Sequence, residues 1–139
     1  MPDMDIILAK TGNIQKCLRR IKEATGLSPE SLDNIDKQDI FVLNLQRAIE
    51  AAIDIAAHIA ASEGLGLASA IKDNFKFLSE ARIIDENLLK KMQSMVGFRN
   101  IAVHDYQSIN VDILKSILTE NLKDLEEFYT AVLKKFPLS

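Results

Sequence analysis

The chain contains little cysteine, glycine or proline, and each shortage excludes a class of structure. Its single cysteine, Cys17, cannot form an internal disulfide, which fits a reducing compartment such as the cytoplasm. Cys17 falls on the apolar stripe of a predicted helix, so we expect a buried structural thiol. Five glycines and three prolines in 139 residues favour long helices over a turn-rich sheet.

Long apolar runs and a basic excess are also missing. No run is long enough to span a membrane, and the acidic N-terminal sequence MPDMDIIL lacks the features of a signal peptide, so we expect a cytoplasmic protein without membrane contact. The net charge of -3 gives no overall attraction to nucleic acid. There is no strongly basic helix-turn-helix, and we therefore expect no specific DNA binding by this chain alone.

The overall composition is that of one globular domain covering residues 1–139. Apolar residues make up 47% and charged residues 27% of the chain, which is enough to build a core and argues against disorder. No segment alternates apolar and polar residues over the length of a strand. The chain therefore predicts an all-α fold, an antiparallel bundle of four to five helices.

Apolar residues at spacings of three, four and seven give the approximate bounds of these helices. The first is expected to end at Gly26, and Asp36, Asp85 and Asn110 are the expected N-caps of the second, fourth and fifth. The predicted ranges are about Met4 to Ala24, Lys37 to Ser62, Ser69 to Glu80, Asp85 to a point between Ile101 and Tyr106, and from after Asn110 to Lys134.

The fourth helix ends in the sequence RNIAVHDY, residues 99–106. The octet places a permanent cation, a group that titrates near neutral pH and a phenol close together in the chain. The planar fork of Arg99 suits two hydrogen bonds to a phosphate. His104 suits proton transfer, which contributes roughly 10²–10⁴-fold to a rate. RNA cleavage by attack of its own 2′-hydroxyl needs both functions, so Arg99 and His104 are the candidate catalytic residues.

The spacing of these two residues raises a geometrical question. Five residues of an ideal helix rotate by about 140° from the starting face. For both side chains to reach one phosphate, the helix should end or distort between them, with Asn100 hydrogen-bonded across that end, or the side chains must extend around the same end. A two-fold dimer would bring two arginines and two histidines into one cleft, so we expect a homodimer. Tyr106 is expected on the exit loop with its hydroxyl accessible.

The second helix contains polar residues that suggest a supporting role. Glu50, Asp54 and His58 are spaced by four and share a face of a helix otherwise rich in alanine and isoleucine. Asp54 is the residue expected to orient Arg99 or His104. The alternative is that these residues form the solvated face of an amphipathic helix. With two histidines in the chain and no metal-binding motif, we expect no metal site and no cofactor.

Basic residues form two clusters that are candidates for RNA binding. The alternative is that both are ordinary solvated helix faces, since acidic residues are interspersed. Aromatic residues are few, and no platform for stacking bases is evident. The candidates are Lys16, Arg19, Arg20, Lys90 and Lys91.

The octet, with small apolar residues between its arginine and histidine, resembles the R-x4-H-x-Y signature of the HEPN superfamily, and more specifically of HepT-like toxins. The resemblance extends to an all-helical domain of this size with the motif at the end of its fourth helix. It implies a toxin–antitoxin system in which a homodimeric, metal-independent endoribonuclease uses Arg99 and His104. It further implies that an MntA-like nucleotidyltransferase antitoxin neutralises the toxin by transferring AMP from ATP onto Tyr106.

A second class of function remains open from the sequence alone. The chain is then a non-catalytic helical module that binds a nucleotide or a nucleotidyltransferase partner. In that interpretation Arg99 is a surface residue paired with a carboxylate, His104 is a helix-terminal histidine and Tyr106 anchors a loop. The presence of both Arg99 and His104 favours the enzyme, because an adaptor has no chemical need for the pair.

Overall fold

Five helices carry most of the chain. The computed structural model describes residues 1–137, and the last two residues of the predicted domain lie outside that range. The first four helices are α1 (Met4–Thr25), α2 (Ile35–Ser62), α3 (Ile71–Glu80) and α4 (Glu86–His104). The fifth, α5 (111–135), joins Val111–Ser116 to Leu122–Lys135 through the π-helical turn Ile117–Asn121. Short 3-10 turns cover Pro29–Asp33 and Tyr106–Ser108.

No part of residues 1–137 forms a strand, and the predicted all-α fold is confirmed. None of the helices in this range is both long enough and apolar enough to cross a bilayer. Cys17 is 8% exposed, so the expectation of a buried thiol is also confirmed.

The start of α2 differs from the sequence-based prediction. The helix begins at Ile35 and not at Lys37, because Asn34 is its N-cap: the side-chain oxygen of Asn34 accepts a hydrogen bond from the Lys37 N–H at 3.1 Å. The predicted cap, Asp36, lies instead in the first turn, where its negative charge is attracted to the positive end of the helix dipole.

The other helix ends lie close to their predicted positions. Gly26 closes α1 in the left-handed conformation, and the side chains of Asp85 and Asn110 accept hydrogen bonds from the first turns of α4 and α5. The exception is α3, which starts at Ile71, two residues later than predicted. The backbone N–H groups of Ser69 and Ala70, the two residues before the helix, donate hydrogen bonds to the carboxylate of Asp73. These bonds hold both residues outside the helix.

The core is built around α2. This helix packs against α1, α3, α4, α5 and the first 3-10 turn. Its small buried residues recur every four positions, which allows neighbouring helices to approach closely. These residues are Ala48, Ala52, Ala56 and Ala60. Phe75 of α3 meets Phe128 of α5 edge to face, with ring centroids 5.4 Å apart, and both rings are fully buried.

The π-helical turn within α5 has no signal in the sequence, because the apolar spacing runs through it without a break. Asn121 ends this turn, and its amide donates a hydrogen bond to Asp124 Oδ2 at 3.2 Å. Asp124 is only 1% exposed, and the Lys91 ammonium lies 3.6 Å from its other oxygen. The π-helical turn therefore lies next to the charged pair Lys91–Asp124, which joins α4 to α5.

The aromatic contact at the centre of the core gives a stability prediction. Phe128→Ala is expected to lower the free energy of unfolding by about 3–5 kcal/mol, because it removes a buried ring and leaves a cavity. Urea unfolding followed by circular dichroism measures the change. Leu67→Ala is the control, since Leu67 is 98% exposed. Equal losses in the two variants would contradict the packing described here.

Candidate functional site

Arg99 and His104 both lie on the last turns of α4. The helix runs without interruption from Glu86 to His104, so of the two alternatives the sequence left open, an end or distortion between the two residues does not apply. It does end within the predicted interval. Because α4 is regular across the motif, the two side chains leave the helix about 140° apart around its axis and about 7.5 Å apart along it. One chain therefore presents them in different directions.

Arg99 is held by two neighbouring side chains. Its Nε donates to Glu50 Oε1 at 3.3 Å, and its Nη1 donates to Asn100 Oδ1 at 3.1 Å. The arginine side chain is 22% exposed. Asn100 thus orients Arg99. The sequence suggested that it would hydrogen-bond across the helix end, and it does not. With Nε engaged by Glu50, Nη2 has no partner among residues 1–137 and is left to donate to a phosphate.

The carboxylate that meets the motif is Glu50, where the sequence suggested Asp54. Asp54 lies one helical turn later on α2 and pairs with Lys10 of α1 at 2.9 Å. His58, a further turn along, accepts a hydrogen bond at Nε2 from the Asp3 backbone N–H at 2.9 Å. Both residues therefore fasten α1 to α2, and neither is bonded to Arg99 or His104. No group of His, Cys, Asp or Glu within the described range is arranged to hold a metal ion.

Tyr106 opens the 3-10 turn that follows α4, and its hydroxyl donates a hydrogen bond to Asp39 Oδ1 on α2. The residue is 41% exposed. Its ring borders a cavity of about 240 Å³ that is lined by apolar residues including Val42 and Leu114. Partial burial, and then the hydrogen bond and negative charge of Asp39, raise the pKa of Tyr106 to about 12. The phenol is therefore neutral at physiological pH and fixed in direction.

The first basic cluster lies partly along a groove between α1 and α2. Lys16 and Arg20 line this groove, which has a volume of about 330 Å³, together with Arg47 of α2. Arg19 is exposed on α1 and does not line it. Glu50 lines the same groove and also contacts Arg99, so the groove adjoins the motif arginine.

The second basic cluster borders a different cleft. Lys90 and Lys91 line a more apolar cavity of about 570 Å³ between α4 and α5, next to Phe98. Lys91 lies 3.6 Å from Asp124 and 3.7 Å from Glu127, which offset its charge. The five basic residues singled out in the sequence therefore do not form one surface.

Two residues at the site, Asp39 and Arg47, were not singled out in the sequence, and Glu50 was named there only as one of three possible supporting residues. Asp39 binds the hydroxyl of Tyr106 across 67 positions, Glu50 binds Arg99 across 49 positions, and Arg47 lines the groove beside it. Contacts between such distant positions leave no mark in local spacing. The one available signal is that all three lie on the same helix, at positions that a purely buried helix would fill with apolar residues.

Comparisons with known proteins find relatives over most of the chain. A family model described as ribonuclease HepT-like matches residues 14–132. The mRNA nuclease HepT of Shewanella oneidensis is 39% identical over 128 residues, which cover 92% of this chain and 96% of that protein. A putative RNase of Archaeoglobus fulgidus is 33% identical over 101 residues, covering 72% and 75% of the two chains.

A solved structure gives the corresponding result for the fold. It is that of the tri-AMPylated Shewanella oneidensis HEPN toxin in complex with its MNT antitoxin. The match has a TM-score of 0.88 and 38% sequence identity, and covers 94% of this chain and 98% of the other. A five-helix bundle with an R-x4-H-x-Y motif closing its fourth helix is thus of the HEPN class. The chain belongs to the HepT-like ribonuclease family.

The contact between Tyr106 and Asp39 gives a prediction about titration. In a Tyr129→Phe background, absorbance of the phenolate should report a pKa near 12 for Tyr106, and Asp39→Asn should lower it toward the ordinary value of 10.0. Since the folded state holds the phenolic proton more tightly than the unfolded chain, this contact stabilises the protein below pH 10.0 and the gain is lost as pH rises toward 12. Identical titration curves with and without Asp39 would contradict the contact.

Proposed function

We propose that this chain is the toxin of a toxin–antitoxin pair and cleaves RNA internally, without a metal ion, at a site built from Arg99 and His104. The observation that carries the proposal is the state of Arg99. Glu50 and Asn100 fix its guanidinium while one nitrogen stays available, and an exposed histidine follows five residues later on the same helix. The nuclease names of the relatives described above support the same assignment.

In this reaction the RNA supplies its own nucleophile. The 2′-hydroxyl attacks the adjacent phosphorus, loses its proton to a base, and the 5′-oxygen of the next nucleotide leaves with a proton from an acid. His104 carries one or both of these transfers. Arg99 donates hydrogen bonds to the non-bridging oxygens as negative charge builds up on them. The pairing with Glu50 prepares Arg99 for this role by holding its fork in place before RNA arrives.

The angle between Arg99 and His104 on α4 favours a site shared between two copies of the chain. Side chains about 140° apart on one helix are poorly placed to act on the same phosphate. In a homodimer that brings two α4 ends together, the arginine of one subunit can act with the histidine of the other. Two histidines in one cleft would also provide a separate acid and base.

The groove between α1 and α2 is the proposed path of the RNA strand toward this site. Lys16, Arg20 and Arg47 line it and would contact the phosphate backbone, and Glu50 marks where it reaches Arg99. Arg19, Lys90 and Lys91 lie outside this path and are weaker candidates for RNA contact. Since RNA is the substrate, we place the activity in the cytoplasm.

Tyr106 is the proposed site at which an MntA-like nucleotidyltransferase silences the toxin by adding AMP. Its hydroxyl lies at the surface two residues beyond His104, within reach of another protein. The added phosphate would bring negative charge and a bulky nucleoside to the end of α4, where they repel the RNA backbone and compete for Arg99. The related Shewanella oneidensis toxin occurs in AMPylated form with its MNT antitoxin.

The nuclease is tested by incubating unmodified protein with RNA in the presence of EDTA. Wild-type protein should cleave, and Arg99→Ala and His104→Ala should each lower the rate by about 10²-fold or more, because each removes a group that acts in the transition state. Unfolding curves confirm that the variants fold.

His58→Ala is the matched control, since the other histidine of the chain binds the start of α1 and lies outside the proposed site. It should cleave at the wild-type rate. Verified unmodified protein that cleaves no RNA, or cleavage that survives in both motif variants, would favour the non-catalytic interaction module instead.

Silencing is tested with the cognate nucleotidyltransferase and ATP. Tyr106→Phe should fold and cleave RNA but escape inhibition, because it lacks the oxygen that receives AMP. Intact-mass analysis measures the added AMP, and the cleavage assay measures inhibition. Tyr129→Phe, which removes the other tyrosine, should still be modified and inhibited. A Tyr106→Phe protein that is still labelled and silenced would refute this assignment.

A further inference from the structure

We propose that Asp39 is the residue of this chain that prepares Tyr106 for modification, by orienting its hydroxyl and accepting its proton as the bond to AMP forms. The inference rests on the proposed function, in which Tyr106 receives AMP from ATP. It adds a role for the substrate protein itself: the toxin contributes a group to the reaction that silences it.

The geometry is specific to this pair of side chains. Tyr106 lies in the 3-10 turn after α4, and Asp39 lies in the second turn of α2. The tyrosine hydroxyl donates a hydrogen bond to Asp39 Oδ1. A carboxylate oxygen is therefore already in contact with the phenolic proton that is lost when the hydroxyl is modified. Both residues are exposed, so an incoming nucleotide can approach the phenolic oxygen without displacing the core.

Packing fixes the two partners independently. Tyr106 borders the small cavity that is also lined by Val42 and Leu114. Asp39 lies on α2, which is anchored two residues later by the fully buried Phe41. The contact therefore joins two anchored elements, which restricts the direction of the phenolic oxygen. A fixed nucleophile reacts faster than a freely rotating one because less orientational freedom is lost in reaching the transition state.

The chemistry requires a base at this position. Tyr106 stays protonated at neutral pH, since partial burial and Asp39 raise its pKa to about 12. In the transfer, the phenolic oxygen attacks the α-phosphorus of ATP and forms the new P–O bond. The bond from that phosphorus to the bridging oxygen of the β-phosphate breaks, pyrophosphate leaves with the electron pair, and the phenolic proton passes to the Asp39 carboxylate. No change of oxidation state is involved.

The experiment compares rates of AMP transfer to wild-type protein, Asp39→Asn and Asp36→Asn, using the cognate nucleotidyltransferase with magnesium and ATP. Asparagine retains a similar shape and can still accept a hydrogen bond from Tyr106, but it cannot take up the proton. We expect the Asp39→Asn rate to fall by about 100-fold. Asp36→Asn is the matched control, because Asp36 is an exposed carboxylate one turn earlier on α2.

The pH dependence separates proton transfer from a merely structural role. The wild-type rate should change little around neutral pH, because the phenolic proton passes directly to Asp39 and not to hydroxide. The Asp39→Asn rate should rise with hydroxide concentration, since the phenolate must then form without a local base. Peptide mapping by mass spectrometry confirms the modified residue, and circular dichroism confirms that both variants fold.

The possible failures point to different conclusions. If wild-type protein receives AMP on Tyr106 and Asp39→Asn is modified at the same rate with the same pH profile, the role of Asp39 is refuted while the proposed function stands. A slow Asp39→Asn reaction with the wild-type pH profile refutes proton transfer in the same way. If wild-type protein receives no AMP on Tyr106, the modification itself fails, and the role of Asp39 fails with it.

Discussion

The burial of α2 along most of its length is the constraint on which the rest of the structure depends. Every other helix packs on it, and its row of small residues sets how closely they approach. The same helix also holds two residues of the candidate site in place, through Glu50 on Arg99 and Asp39 on Tyr106. Stability and site geometry therefore share one support, and a shift of α2 would disturb both together.

Much of the fold was predictable because it depends on local signals. Apolar spacing located five helices, and side chains that cap helices, such as Asp85 and Asn110, located their starts. The errors arose where two local signals compete. Asn34 and Asp36 are both good N-caps, and the choice between them depends on the preceding 3-10 turn. The π-helical turn in α5 was missed because the apolar pattern does not change across it.

The site was predictable to the extent that it lies in one stretch of sequence. The octet identified Arg99, His104 and Tyr106, since side-chain chemistry and spacing can be read directly. Their partners on α2 were not predictable, because the choice between Glu50 and Asp54 depends on where α4 crosses that helix. One turn of difference sends one carboxylate to Arg99 and the other to Lys10. The pairing of Asp39 with Tyr106 is likewise a product of tertiary packing.

The unbroken course of α4 through Arg99 and His104 has a consequence for how such a protein is switched off. A regular helix offers no hinge, so the backbone positions of the two residues stay fixed relative to each other. Bending within α4 therefore does not regulate their separation. Both modes of control proposed above, the encounter with a second molecule and a covalent change to Tyr106, act from outside this helix.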